Sequence, residues 1–310
     1  MKKQITIIIL SLILSLGFST VTVMAEDSQN VAKNVLNSLK EMGNPSESSD
    51  VFTFYISGID TRGEMTESSR SDVNIIAAVN TNTKQILLVS TPRDYYVPLS
   101  ISDGVPDKLT HAGIYGVKVC VETMELLYDI DIDYYFRLNF KNFVNFIDAL
   151  GSITVHSDYE FDIQTGGGYH VVVGDNLMDG ETALAFARER YSFASGDRQR
   201  GKNQMYVIQG VLNKLSNISP DGDTDVLSTM AEGFFETDMP LKERIQLILT
   251  QVPQLKNYQI SLYSVDGTGA TEKPYSMSEK AYVMIPDQDT VEHAKELMAQ
   301  VRDGEIPVVE

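Results

Sequence analysis

The stretch V-F-T-F-Y-I-S-G-I at positions 51–59 is followed directly by Asp60 and by a polar segment that runs to position 71. Its β-branched and aromatic residues predict a buried β-strand. Asp60 then lies at the carboxyl end of that strand, which is where α/β sheets hold their ligands. We therefore expect Asp60 to belong to a functional site at one edge of a sheet.

Strands and helices alternate through the rest of the chain. Further strands are predicted at 73–80, 85–90, 134–139, 153–156 and 259–265, with a hairpin turn T-N-T-K at 81–84. Helices are predicted at 117–128 and 140–150, from about position 226, and after Pro240. A last helix is predicted to begin at a capping box formed by Asp289 and Glu292 and to run through Val301. This order predicts an α/β fold in one domain of about 250 residues.

The composition and the missing motifs exclude several functional classes. A net charge of -18 and a pI near 4.6 argue against nucleic-acid binding. A single cysteine, Cys120, excludes an intramolecular disulfide, and we expect it to be a small buried apolar residue. The four histidines lack metal-ligand spacing, and no G-x-S-x-G, H-E-x-x-H, Walker A or G-x-G-x-x-G motif occurs. The acidic D-G-D-T-D at 221–225 lacks the spacing of a calcium loop and is interpreted as a turn and helix cap.

The first 25 residues have the organisation of an export signal. Two lysines precede an apolar run from Ile5 to Phe18, and V-M-A ends at Ala25 with small residues at the offsets of a cleavage site. If it is not cut, this segment is long enough to anchor the chain in a bilayer. Residues 26–50 are polar and are interpreted as a tether. Both interpretations place the remainder at the outer face of the cytoplasmic membrane, in the cell wall or in the medium.

A basic connector, R-E-R-Y-S-F-A-S-G-D-R-Q-R-G-K-N-Q at 188–204, places four arginines within thirteen residues of this acidic chain. Arg188 and Arg190 end one predicted helix. Arg200 and Gln204 lie one turn apart on the next, so the four side chains can converge on one group. Because guanidinium groups suit phosphate oxygens, the connector indicates an anion site. The alternative is that these arginines pair with carboxylates on a solvated surface.

Three further positions extend the hypothesis of a phosphate site. Asp60 and Asp72 are twelve residues apart, and a loop that folds back would bring together two carboxylates, which implies magnesium. Arg93 follows a strand in T-P-R-D, and its alternative role is an ion pair with Asp94 or with a helix carboxylate. His111, in K-L-T-H-A-G, either lies in a loop that approaches a ligand or is a hydrogen-bonded supporting group.

These motifs occur in one order along the chain: G-I-D at 58–60, R-S-D at 70–72, S-T-P-R-D at 90–94, K-L-T-H-A-G-I-Y-G at 108–116, F-x-N-F-V-N-F-I-D-A-L-G at 140–151, G-D-N-L-M-D-G-E-T-A-L-A-F-A-R-E-R at 174–190 and G-D-R-Q-R-G-K-N-Q at 196–204. The ordered set resembles the LytR-CpsA-Psr family of cell-wall glycopolymer ligases over roughly residues 50–265. Each motif alone is weakly specific, whereas the order of all seven is highly specific.

The resemblance implies an extracytoplasmic phosphotransferase that moves a polymer from an undecaprenyl-pyrophosphate carrier to a peptidoglycan hydroxyl and forms a phosphodiester. It implies a magnesium ion bound by Asp60 and Asp72, with these two residues and Arg93 as the catalytic set. The pyrophosphate ligands that it implies are Arg70, Arg93, Arg188, Arg190, Arg200 and Gln204. The expected fold is a three-layer α-β-α sandwich with a central mixed β-sheet over residues 51–302, followed by a tail at 303–310. An apolar tunnel between sheet and helices would hold the polyprenyl chain.

Some features depart from the family pattern, and some alternatives stay open. Asn203 replaces a usual arginine, which would weaken substrate binding, Val117 replaces the second glycine of a frequent pair, and the N-terminal segment resembles a cleavable signal more than an anchor. Arginine cannot serve as the base, so Asp94 or Asp72 would accept the proton of the attacking hydroxyl. The other functions are a polyprenyl pyrophosphatase, with water as the acceptor, and a non-catalytic module that binds the lipid carrier or a wall polymer.

Overall fold

The computed structural model describes residues 50–61, 63, 68–164, 168–193, 196–217 and 234–309. The predictions for the export signal, for nearly all of the tether, for D-G-D-T-D at 221–225 and for the helix from about position 226 lie outside these residues. Within the described ranges, no helix is long and apolar enough to cross a membrane.

The strands are β1 (Val51–Ile59), β2 (Ser71–Asn80), β3 (Gln85–Ser90), β4 (Tyr96–Pro98), β5 (Pro106–Lys108), β6 (Tyr134–Asn139), β7 (Ile153–Ser157), β8 (Phe161–Asp162), β9 (His170–Val171), β10 (Gly174–Met178), β11 (Gln259–Ser264), β12 (Gly267–Glu272) and β13 (Ala281–Pro286). The α-helices are α1 (Ala112–Tyr115), α2 (Val117–Tyr128), α3 (Phe140–Ala149), α4 (Gly180–Arg188), α5 (Asp197–Ser216), α6 (Leu241–Gln251) and α7 (Gln288–Asp303). Among the residues that the structure describes, Leu109–His111 and Val252–Asn257 form 3-10 helices.

The central layer is a five-stranded mixed sheet in the order β11-β3-β2-β1-β6. β1 pairs antiparallel with β2 and parallel with β6, and β3 pairs antiparallel with β2 and parallel with β11. The predicted hairpin at 81–84 is confirmed, because the side chain of Asn80 accepts the backbone N–H groups of Asn82 and Thr83 and closes the turn between β2 and β3. Helical layers on both faces of the sheet explain why residues 75–79 of β2 and 86–89 of β3 are continuously apolar.

Alternate residues of the sheet pack into different helical layers, as the twofold period of a strand requires. On one face, Tyr55, Ile76 and Leu87 pack with side chains of α2 and α7. On the other face, Phe54, Ile75 and Leu88 pack with Met205 of α5. A further cluster joins α3, α4 and α5 to β7 and β10. The three-layer α-β-α architecture is therefore confirmed, and Cys120 is buried in the first of these clusters.

The prediction for the start of the last helix was wrong. The residue that caps α7 is Asp287, whose side chain accepts the N–H of Asp289, so Asp289 lies inside the first turn. The helix begins directly after β13 because Asp287 follows Pro286, the last strand residue, and is still extended. The helix also continues past Val301 to Asp303, where Gly304 adopts a positive φ of 83° and ends it.

Candidate active site

A cavity of about 290 Å³, here called the charged cavity, opens beside the carboxyl end of β1 and is walled by α3, α4 and α5. Its lining includes Asn139, which the sequence did not single out, and seven further charged or amide side chains: Asp60, Asp72, Arg93, Arg188, Arg190, Arg200 and Gln204. All seven were predicted from the sequence, and the fold brings them to one place from four separate segments. Arg70, the eighth predicted residue, is exposed, and its side chain is not part of this lining.

The two aspartates come together through the register of β1 and β2. Ile59 pairs with Ser71 after a bulge at Gly58, and the Asp60 N–H donates to the Arg70 carbonyl over 3.2 Å. The loop between the strands is closed at its base, so Asp60 and Asp72 both reach the cavity. The predicted fold-back of this loop is confirmed.

Asp72 is held by two donors from different segments. Arg93 Nη1 donates to Oδ2 over 2.7 Å, and Thr110 Oγ1 donates to Oδ1 over 3.0 Å. Thr110 belongs to the K-L-T-H-A-G motif, which is helical rather than a loop. A Cβ on Gly113 would lie 2.5 Å from the Ser71 nitrogen, so only glycine allows α1 to approach β2 this closely. The motif therefore supports Asp72.

His111 is buried and acts as a supporting group in this motif. Its Nδ1 lies 2.7 Å from Asp107 Oδ1 and 2.9 Å from the Ser276 hydroxyl. Asp107 also accepts the N–H groups of Lys108 and Ser276. These contacts bear out the interpretation of His111 as a hydrogen-bonded residue behind the site.

Arg93 lies among three carboxylates. Besides Asp72, its Nε lies 3.6 Å from Asp94 Oδ2 and 4.0 Å from Asp197 Oδ1. Burial lowers the pKa of Arg93, but the charges of Asp72, Asp197 and Asp94 outweigh burial and raise it. Asp94 in turn pairs with Lys108 at 2.9 Å. The ion pair with Asp94 or a helix carboxylate, foreseen as the alternative role of Arg93, is present, and Arg93 lines the cavity as well.

The arginines of the basic connector reach the cavity from the end of α4 and the start of α5. Arg188 is the last residue of α4, and its Cζ lies 4.4 Å from the centroid of the Phe140 ring. Arg190 follows the helix and donates to the Tyr191 hydroxyl over 2.8 Å. Gln204 donates to the Ala187 carbonyl, which fixes α5 against α4. Convergence of these side chains, as the sequence predicted, is confirmed.

Arg200 is the most deeply buried cation of the site, with a side chain only 9% exposed. It donates to Asp197 Oδ2 over 2.8 Å. Burial lowers the pKa of Arg200 and raises that of Asp197, although each partner's charge opposes the change. A cation this well removed from water interacts strongly with an anion in the cavity.

Glu189, between Arg188 and Arg190, is a residue that the sequence analysis missed. It is fully buried, and its Oε1 accepts the N–H groups of Arg190, Tyr191 and Ser192 at 2.7–3.1 Å. Its Oε2 accepts the N–H of Gln164 over 2.7 Å. The carboxylate therefore shapes the turn that presents Arg190. The available sequence signal was a carboxylate placed between two arginines of one motif.

Asn203, which departs from the family pattern, is buried between α4 and α5. It accepts from Gln199 Nε2 over 3.0 Å and donates to the Phe186 carbonyl over 3.3 Å. Its side chain joins the two helices and does not line the charged cavity. Arg198 does not line that cavity either, and its Nε lies 2.5 Å from Asp266 Oδ1.

A second cavity of about 220 Å³, here called the apolar cavity, lies between the sheet and the helices α5 and α6. It shares Ile56 and Ile208 with the charged cavity. The rest of its lining is almost entirely apolar and includes Phe54, Leu88 and Leu212. The charged cavity therefore adjoins an apolar one.

Comparison with known proteins identifies the family. The LytR-CpsA-Psr family model matches residues 16–300, a range that contains every element of the charged cavity. The chain belongs to the LytR-CpsA-Psr family. The resemblance found in the ordered motifs is therefore confirmed over nearly the whole chain.

Two relatives are each named a polyisoprenyl-teichoic acid--peptidoglycan teichoic acid transferase TagU. The one from Bacillus licheniformis is 34% identical over 192 residues, which span 61% of this chain and 61% of the relative. The one from Bacillus anthracis is 30% identical over 273 residues, which span 83% of this chain and 86% of the relative. This chain therefore matches about three fifths of the first relative's length and most of the second's.

Solved structures show the same fold. Bacillus subtilis TagU is 27% identical with a TM-score of 0.60, and the superposition covers 84% of this chain and 100% of that chain. A structure of TagT bound to LIIa-WTA is 27% identical with a TM-score of 0.65, covering 84% of this chain and 95% of that chain. Bacillus subtilis TagV, at 24% identity, superposes with a TM-score of 0.70 over 83% of this chain and 99% of that chain.

Proposed function

We propose that this chain transfers a glycopolymer from an undecaprenyl-pyrophosphate carrier to a peptidoglycan hydroxyl and forms a phosphodiester. The junction of the charged cavity with the apolar cavity carries the proposal. A polyprenyl pyrophosphate has the same division between an anionic head and an apolar tail. Relatives named as teichoic acid transferases acting on polyisoprenyl-linked teichoic acid and peptidoglycan support the substrate class.

The arginines position the donor and neutralise its charge. Phosphoryl transfer depends mainly on position and electrostatic stabilisation, because the transferred group passes through a loose transition state. Arg188 and Arg190 lie on the helix-end side of the cavity, and Arg93 and Arg200 lie on the side of Asp72 and Asp197. Together they bind both phosphates and stabilise the negative charge that collects on the departing polyprenyl phosphate.

We propose magnesium as the cofactor, held by Asp60 and Asp72. Magnesium is usually bound by one or two carboxylates together with substrate phosphates. Two aspartates in one cavity fit that arrangement. When bound, magnesium supplies further neutralisation of phosphate charge.

The attacking hydroxyl loses its proton to Asp72 or Asp94. Asp72 lines the charged cavity, but both of its oxygens accept hydrogen bonds from Arg93 and Thr110. Asp94 lies next to Arg93 and is paired with Lys108. Either carboxylate lies close enough to Arg93 to act beside the phosphates.

Product analysis tests the function directly. The purified protein is incubated with magnesium, a polyprenyl-pyrophosphate-linked glycan and polymer-free peptidoglycan. We expect glycan covalently attached to peptidoglycan through phosphate, together with polyprenyl phosphate. Release of a soluble glycan phosphate alone would indicate the pyrophosphatase, and donor binding without any product would indicate the non-catalytic module.

A further inference from the structure

A third cavity of about 120 Å³, here called the small polar cavity, adjoins the charged cavity and has no ligand in the function proposed so far. The two cavities share Asp72, Arg93, Arg200 and Gln204, which therefore form a common wall. The polar side chains that line only the small polar cavity are Ser90, Thr91, Asp197, Arg198, Ser264 and Asp266.

The chemistry of this lining suits a carbohydrate. It offers hydroxyl, carboxylate and guanidinium groups at the ends of β3 and β11, where sugar hydroxyls find both donors and acceptors. At the rim, Arg198 Nε lies 2.5 Å from Asp266 Oδ1, and Arg198 Nη2 donates to the Gly267 carbonyl over 2.8 Å. The side chains of this pair are 50% and 45% exposed, so an incoming polar ligand can reach both.

We propose that the small polar cavity is the acceptor site, in which the Arg198–Asp266 pair binds the sugar hydroxyls of a peptidoglycan glycan chain. The inference rests on the proposed transfer and adds the position of the acceptor. In phosphoryl transfer, the attacking and leaving oxygens lie roughly in line on opposite sides of phosphorus. The leaving polyprenyl phosphate lies in the charged cavity, on the side of the apolar cavity. The acceptor therefore approaches from the small polar cavity, past the residues that the two cavities share.

The reaction balances with these two positions. The acceptor oxygen forms a bond to the phosphorus that carries the glycan, and the bond from that phosphorus to the bridging oxygen of the pyrophosphate breaks. The bridging oxygen leaves with polyprenyl phosphate. The proton of the acceptor hydroxyl passes to a carboxylate of the site.

Two variants and a matched control test the acceptor site in the full chain. Arg198→Ala and Asp266→Asn each remove one member of the rim pair. Lys202→Ala removes a cation from the same helix, where Lys202 is 44% exposed, pairs with Asp158 at 2.8 Å and lines neither cavity. We expect the KM for soluble peptidoglycan glycan chains to rise about tenfold in both rim variants, with the Kd for polyprenyl pyrophosphate unchanged. We expect Lys202→Ala to match the wild type.

Three results would overturn the assignment of the acceptor site. They are an unchanged KM in both rim variants, a rise in the donor Kd as large as the rise in KM, and a KM in Lys202→Ala that rises as much as in the rim variants. Failure of the wild type to transfer glycan is a separate result, which contradicts the proposed function. In that case, direct binding of polymer-free glycan chains to the three variants decides the matter. Loss of binding in the two rim variants alone supports the site, and equal binding in all three overturns it.

Discussion

Arg93 Nη1 donates to Asp72 Oδ2 over 2.7 Å and so connects the segment after β3 to the start of β2. Both residues line the charged cavity and the small polar cavity. The ion pair therefore lies in the wall between the two cavities, where Arg93 would contact a transferred phosphate. An ion pair and a substrate contact are compatible roles for Arg93, because its guanidinium has five donors and Asp72 accepts only one of them here.

Removal of either cavity aspartate is expected to abolish transfer while the fold is kept. In Asp60→Ala and Asp72→Ala, a proposed metal ligand is lost at a strand end rather than a side chain of the core. Arg93 keeps Asp94 and Asp197 as neighbours, so we expect the melting temperature to change by no more than about 4 °C. Transfer assays with magnesium and thermal unfolding measure both effects.

The matched control for these aspartates is Asp175→Ala. Asp175 is a strand residue of β10 whose side chain is 77% exposed. It lines neither the charged nor the small polar cavity, so its variant should transfer normally. Wild-type turnover in Asp60→Ala or Asp72→Ala would rule out the metal role.

The basic connector is expected to show losses of donor affinity that depend on position. If Arg188, Arg190 and Arg200 each make a charge-assisted contact with pyrophosphate, each alanine variant loses roughly 1.5–3 kcal/mol, which is about tenfold or more in Kd. Lysine should not restore a bidentate contact. Calorimetric titration with polyprenyl pyrophosphate gives the Kd of each variant.

Arg198→Ala is the internal control for the basic connector, because Arg198 does not line the charged cavity. We expect it to bind the donor almost normally. A surface ion pair contributes only about 0–1 kcal/mol, so the magnitudes separate a binding site from a solvated cluster. Equal, small losses at all four arginines would show that the connector is a diffuse electrostatic surface.

Sequence patterns predicted the parts of the fold and site that depend on local order. β3 and α2 have the predicted bounds because a short apolar run and a helical apolar spacing are both properties of residues close together in the sequence. Asp60 and Arg188 were found because each belongs to a motif at the end of an element. The sequence did not show that Thr110 donates to Asp72, because that contact depends on how two distant segments are placed. It also did not show that Asp197 pairs with Arg200, because that contact depends on where α5 begins. The cap at Asp287 was missed because a nearby capping box was equally plausible.

Glu189→Gln is expected to lower both stability and donor binding. The glutamine has only one oxygen acceptor, so its amide group would face an N–H that Glu189 now accepts. Leaving a buried N–H without an acceptor costs about 1–3 kcal/mol. The melting temperature should fall and the donor Kd should rise together, because the turn that presents Arg190 changes its conformation. Unchanged values for both would show that Glu189 does not position the turn.

Export is tested on the natural precursor. The lysines, the apolar run and the V-M-A sequence predict either a cut after Ala25 or a retained anchor. Mass spectrometry of membrane and culture fractions distinguishes a mature chain that begins at Glu26 from the full-length form. Full-length protein in the cytoplasmic fraction would contradict both.

The buried Asp107 is expected to make stability depend on pH in acid. Burial raises its pKa, but hydrogen bonds from His111, Ser276 and the Lys108 N–H outweigh burial and lower it below the ordinary value. A carboxyl whose pKa is lowered by folding stabilises the native state fully above its unfolded pKa of about 3.9, and this contribution is lost as the pH falls through the folded pKa. Asp107→Asn should therefore be less stable than the wild type by about 1–3 kcal/mol at pH 7. The difference in unfolding free energy between the wild type and Asp107→Asn should become smaller below about pH 4. Urea unfolding at a series of pH values measures this difference. A constant gap would mean that the Asp107 charge does not contribute.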